Sequence, residues 1–125
     1  MVRSRDVRRS VLLVLLAVNS TTAWAEAPLD WYVDLKREAK YARIAAGRGA
    51  SAQELRPFEA AGSRLIARID TWDAIPVSTG AHRLCLMAAQ NFVAALSKYS
   101  ADARHGAIVA GEPQRDACLT AIQRR

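Results

Sequence analysis

The chain has 125 residues, with 18 Lys and Arg against 12 Asp and Glu, a net charge of +6, and two cysteines. That length is one domain, and the positive balance is poor evidence for nucleic-acid binding because part of it sits in the first nine residues. Removing Arg3, Arg5, Arg8, Arg9 and Asp6 with a leader would lower the net charge from +6 to +3.

The opening segment reads as an address. Four arginines precede the apolar run Val11 to Val18, which is followed by Asn19-Ser20-Thr21-Thr22 and then Ala23-Trp24-Ala25. A basic segment, a short apolar segment and an A-x-A site are the three parts of a secretory signal peptide. Eight apolar residues rise only about 12 Å as a helix, against about 30 Å of hydrocarbon, so a membrane span is excluded there. The expected cut follows Ala25, since a cut after Ala27 would place Pro28 just past the scissile bond. Residues 1–25 are therefore expected to be a cleaved signal peptide, and 26–125 a single helical domain. Arg8-Arg9-Ser10-Val11-Leu12 also satisfies a loose twin-arginine pattern, but the strongly apolar run favours the ordinary secretory route.

After the cut, 22 residues are alanine, β-branched residues are sparse and no segment alternates apolar with polar. That combination predicts helices throughout. The first helix is expected from about Leu29 to Ala46, between Pro28 and Gly47-Arg48-Gly49, with a core stripe of Tyr32, Leu35, Ala39, Ala42 and Ala46 and with Trp31 at its edge. Its acids (Asp30, Asp34, Glu38) come early and its bases (Lys36, Lys40, Arg43) late, which complements the helix dipole without any ligand. Gly47-Arg48-Gly49 is read as a helix terminator and flexible turn rather than an anion nest.

Ser51-Ala52-Gln53-Glu54 is a capping-box signature. Pro57 falls so early that the box is expected to close only a first turn before the second helix begins, or the proline kinks that helix. Leu55, Phe58, Gly62, Leu65, Ile69 and Trp72 recur at alternating spacings of three and four, the pattern of helices packed nearly antiparallel. Ile75 to Gly80 is the next connection, with Ser78 or Thr79 as cap. The third helix is expected from about Ala81 to Tyr99. It carries two apolar stripes, Cys85, Ala88, Phe92, Ala95, Tyr99 and Leu86, Ala89, Val93, Leu96, and so should be central.

In an exported chain, Cys85 and Cys118 are expected to form a disulfide. Facing residues of an antiparallel hairpin have position numbers of constant sum, which centres the turn near Ser100-Ala101-Asp102, residues suited to capping a new helix. The fourth helix then climbs back from about Asp102, interrupted at Gly111-Glu112-Pro113, to about Gln123. The expected fold is all-α: an up-down four-helix bundle with an interrupted last helix, helices three and four joined by one disulfide.

No catalytic constellation emerges. His82 and His105 lack a paired nucleophile, and there is no G-x-S-x-G, P-loop or H-E-x-x-H. Asp70, Asp73 and His82 lie near one another in sequence, but their spacing is not diagnostic of a metal site, and no C-x-x-C-H is present for c-type haem. No cofactor and no metal are expected. The outer face of the first helix gathers Val33, Arg37, Tyr41 and Ile44, an apolar, aromatic and arginine mixture used by interface hot spots, while Trp31 and Trp72 read as core anchors. The leading expectation is a non-enzymatic periplasmic or secreted protein that works by protein–protein contact, as an inhibitor, an immunity-type protein or an adaptor. Its partner would be another exported protein, with no role for nucleic acid; the alternatives for that face are cover by the fourth helix or a second copy of the chain, or apolar residues scattered singly in solvent. The rival reading is a carrier of a small apolar ligand or a metal between helices.

Overall fold

A computed structural model describes residues 26–72 and 80–124. The leader, Asp73, and the cap candidates Ser78 and Thr79 lie outside the described residues. The described chain is all-helical, with helices α1 Pro28–Gly47, α2 Arg56–Arg68, α3 Ala81–Leu96, α4 Ala101–Ala110 and α5 Glu112–Gln123, and a 3-10 turn at Ile69–Thr71.

Each boundary has a local cause. Proline opens α1, α2 and α5 within the first two positions, where its missing N–H costs nothing. At the end of α1, the N–H groups of Arg48, Gly49 and Ala50 turn back onto the carbonyls of residues 44–46, and Gly49 sits at φ 85°, where a Cβ would be strained. The capping box forms as expected: Ser51 N donates to Glu54 Oε1 at 3.1 Å and Glu54 N to Ser51 Oγ at 3.2 Å. Those bonds hold the Glu54 carboxyl below its ordinary pKa. The box closes a single turn, and α2 begins after it with Pro57 in its first turn. Ser100 caps α4, its hydroxyl accepting from Ala103 N at 3.1 Å.

The core follows the helical period. Tyr32, Leu35, Ala39, Ala42 and Ala46 of α1 are buried, as are Leu55, Leu65, Ile69 and Trp72 of the second stripe. Helix α3 packs against α2, α4 and α5, and α1 against α2, α4 and α5. Gly62 lets α2 approach α3 so closely that an added Cβ would stand 2.7 Å from Val93 Cγ2. The Cys85 and Cys118 sulfurs stand at disulfide distance, with Cα atoms 4.7 Å apart, and both residues are fully buried.

Two expectations are corrected. Trp31 is not at the edge of the core stripe but wholly inside it. Its ring meets Trp72 edge-on at 5.1 Å, and its Nε1 donates to the Leu65 carbonyl at 2.8 Å. A tryptophan one step off the stripe centre is long enough to be drawn in when a carbonyl accepts its N–H. Tyr99 leaves the core altogether: α3 ends at Leu96, and Tyr99 is 94% exposed. The chain turns early because Arg104 Nη1 takes the Lys98 carbonyl at 2.8 Å and because Ser100 must adopt an extended backbone to cap α4.

At the other end of the described chain, Glu26 N donates to the Thr71 carbonyl at 3.2 Å. Arg68 clasps the Glu26 carboxylate through Nε and Nη2 and reaches Asp34 at 2.8 Å. This ion-pair cluster fastens the approach to α1 onto the end of α2.

Candidate functional site

The face expected on the first helix is on the surface. Successive helical residues rotate by about 100°, so Val33, Arg37, Tyr41 and Ile44 fall within one outward sector of α1. Val33 is 53% exposed and Tyr41 52%, with Ile44 less so. Leu29, also about half exposed, extends the stripe by one turn. It was missed in the sequence because Pro28 and the helix start beside it masked its four-residue spacing from Val33. Arg37 does not stand free on this face: its guanidinium pairs with Asp34 at 3.2 Å and lies 3.9 Å from Glu38. The guanidinium side of these pairs is more than half exposed, where ion pairs are worth little, so Arg37 can exchange its partners for others at small cost. Lys40 Nζ lies 6.0 Å from the Tyr41 ring.

Beside that face, α1 and α5 flank an open cleft of about 260 Å³ lined by Tyr32, Lys36, Lys40, Arg43, Arg115 and the carboxylates of Glu112 and Asp116. Arg43 Nη1 reaches Glu112 Oε1 at 3.2 Å across the cleft. Arg115 is buried, and its Nη2 donates to the Ile108 carbonyl at 2.9 Å. Burial lowers the Arg115 pKa against the opposing pull of Glu112. Burial also pushes the Tyr32 phenol up, and Asp116 adds to the shift, so Tyr32 presents a neutral O–H at ordinary pH. Arg115 was missed in the sequence because nothing in a helix-period reading marks an arginine as buried. A second groove, lined by Asn91, Lys98 and Gln114 among alanines, runs between α3 and the α4–α5 junction.

The remaining candidates are placed as follows. His82 opens α3, exposed, with Nε2 3.4 Å from Asp70 Oδ1 and its ring edge-on to Trp72 at 6.1 Å. Asp73, the third member of the metal candidate, lies outside the described residues. Among the described residues no three His, Cys, Asp or Glu side chains come together as a metal site. His105 lies on α4 against Gly47, whose added Cβ would be 3.3 Å from the ring. The two histidines therefore belong to different helices, each with its own packing contact. Around Gly47-Arg48-Gly49 the N–H groups are spent on the end of α1, which is the work of a terminator. No helix among the described residues is long and apolar enough to cross a membrane.

No protein-family model matches this chain, and no curated protein or solved structure is significantly similar to it.

Proposed function

We propose that this is a small exported protein, carried by a signal peptide cleaved after Ala25, that works without catalysis by binding another exported protein through the outer face of α1. The observation that carries the reading is the stripe of Leu29, Val33, Tyr41 and Ile44 on one helix, each at least a third exposed. Large apolar residues scattered singly over a surface need no explanation. Four along one helix flank, with a largely exposed arginine among them, are what a partner's groove would cover.

The scaffold proposed for that face is an antiparallel four-helix bundle whose last helix is interrupted between α4 and α5. Two links between α3 and α5 support it: Cys85 with Cys118, and the Asn91 side-chain amide with Gln114. Their position numbers sum to 203 and 205, the near-constant sum of antiparallel neighbours. An oxidised bridge fits an exported compartment, where it would stiffen the support under a binding face. Inhibitors, immunity-type proteins and adaptors share these requirements of rigidity and a ready surface.

The test is capture of the partner from an exported fraction by the wild type and by a Tyr41→Asp, Ile44→Asp double variant. Both side chains are exposed, so circular dichroism and the melting temperature should stay unchanged. Burying two carboxylates in a hot spot should weaken capture more than tenfold, since hot-spot truncations cost about 2 kcal/mol or more. Capture at wild-type strength by the double variant rejects this face. Native mass spectrometry beside the capture separates a foreign polypeptide from a second copy of the chain, and a dimer lost in the variant would make the face a self-association surface.

A further inference from the structure

We propose that the cleft between α1 and α5 binds a small anion bearing a phosphate group, seated on Arg115 and flanked by Lys36, Lys40 and Arg43. The decisive residue is Arg115, only 7% exposed. A buried guanidinium ordinarily lies against a carboxylate, because an unpaired buried charge is expensive. The Arg115 side chain makes one hydrogen bond, to the Ile108 carbonyl at 2.9 Å, and forms no ion pair among the described residues. It forms a wall of an open cleft whose rim adds three more cations from successive turns of α1. The carboxylates in the cleft do not cancel them. Glu112 is held by Arg43 at 3.2 Å, and Asp116 is the other acid of the lining. Four positive charges against two negative leave an excess of two.

That excess selects among ligands. A phosphate group carries about −1.5 to −2 at neutral pH and offers several acceptor oxygens, so it balances the cleft where a single carboxylate would not. With Nη2 already donating to the Ile108 carbonyl, the remaining guanidinium N–H groups are charge-assisted donors for phosphate oxygens, and the neutral Tyr32 phenol can donate a further bond. The volume of about 260 Å³ lies near the lower end for small-molecule sites, roughly 300 Å³, and admits a phosphate with a small substituent. The same chemistry arrives either as a free phosphate or as the headgroup of an anionic lipid. The inference does not rest on the protein-binding role proposed for the outer face of α1, and its test uses neither Tyr41 nor Ile44.

The experiment is a pair of titrations on the purified, folded protein at constant ionic strength. Amide NMR shifts are followed with inorganic phosphate, and co-sedimentation with phosphatidic acid vesicles, with phosphatidylcholine vesicles as control. Both are repeated on a Lys36→Ala, Lys40→Ala variant, whose exposed substitutions leave the fold intact, and on Arg115→Gln if its melt remains cooperative. Saturable shifts confined to residues 36–43 and 111–116, weakened at least about tenfold in the lysine variant, support the site with free phosphate as its ligand. Vesicle binding without saturable phosphate binding, lost in the same variant, supports the site with a headgroup as its ligand. Shifts that grow linearly and scatter over the basic surface, or binding indifferent to Lys36 and Lys40, overturn it.

Discussion

Among the described residues, Arg104 and Arg115 are the two charged side chains that the fold takes almost wholly out of water. Arg104 ties two loops together, donating to the Lys98 carbonyl at 2.8 Å and the Ala50 carbonyl at 3.0 Å. Its charge is spread over these two carbonyls. Arg115 faces a cleft instead, and Tyr32 beside it provides a measurable consequence. With its pKa raised by burial and by Asp116, the folded state holds the phenolic proton more tightly than the unfolded chain does. The stability linked to that proton is complete below the unfolded value, near 10, and is lost as pH rises from there through the folded pKa. Melting temperatures of wild type and Tyr32→Phe, compared at pH about 9 and about 11, should show a larger alkaline loss in the wild type. Equal losses in both proteins would mean that Tyr32 is not the titrating group. Neither arginine was legible in the sequence. Long cationic side chains usually keep their heads in water, and only tertiary contacts decide otherwise, the Lys98 and Ala50 carbonyls for Arg104 and the packing of α5 across α1 for Arg115.

At the scale of elements, Gly62 and Gly106 show why one substitution can have two signs. Gly62→Ala gains helix propensity, worth at most about 1 kcal/mol. It also drives a methyl to 2.7 Å from Val93 Cγ2 and 3.2 Å from Phe92 Cδ2. Overpacking of that kind costs about 1–3 kcal/mol, so the clash should win and urea unfolding should show a net loss. Gly106 lies within α4 with nothing within 4 Å of its added Cβ. Gly106→Ala should therefore stabilise by about 0.5–1 kcal/mol. A gain at position 62, or a loss at 106, would contradict the close approach of α2 to α3 or the open flank of α4. The helices themselves were readable from period and punctuation: Pro28, the capping box at Ser51, the cap at Ser100 and the break at Gly111 each mark a boundary. The end of α3 was not. Tyr99 is in phase with the stripe before it, and a period reading cannot know that Arg104 will claim the Lys98 carbonyl and end the helix three residues sooner. The outer face of α1 was visible on the wheel because exposure of a helix flank depends mostly on its own sequence. The cleft was not, because its two walls lie far apart in the chain, Arg43 and Glu112 being separated by 69 positions, and meet only in the tertiary fold.

For the whole molecule, the link between α3 and α5 is the feature with the widest reach. When oxidised, it closes a loop across a sequence separation of 33, which in the chain-entropy model contributes about 4 kcal/mol. That is a large share of what a domain of this size retains. Denaturation with and without reductant should move the midpoint by a corresponding amount, and a Cys85→Ala, Cys118→Ala double variant should match the reduced protein and ignore reductant. A midpoint unmoved by reductant would mean that the buried sulfurs pack as thiols.

The closed link also sets how the molecule carries a mechanical load. Tension applied at its two ends runs through α1 and α2 into the first turns of α3, crosses between the sulfurs and leaves through the last turns of α5. The segment between Cys85 and Cys118 is bypassed, so about 120 Å of contour, at about 3.6 Å per residue, never pays out. All of α4 and Arg115 lie inside that slack-free loop, whereas Lys36, Lys40 and Arg43 lie on the loaded path. Pulling would strip one wall of the cleft from the other while leaving the loop closed, and a single-molecule extension trace should lengthen by about 120 Å once reductant is added.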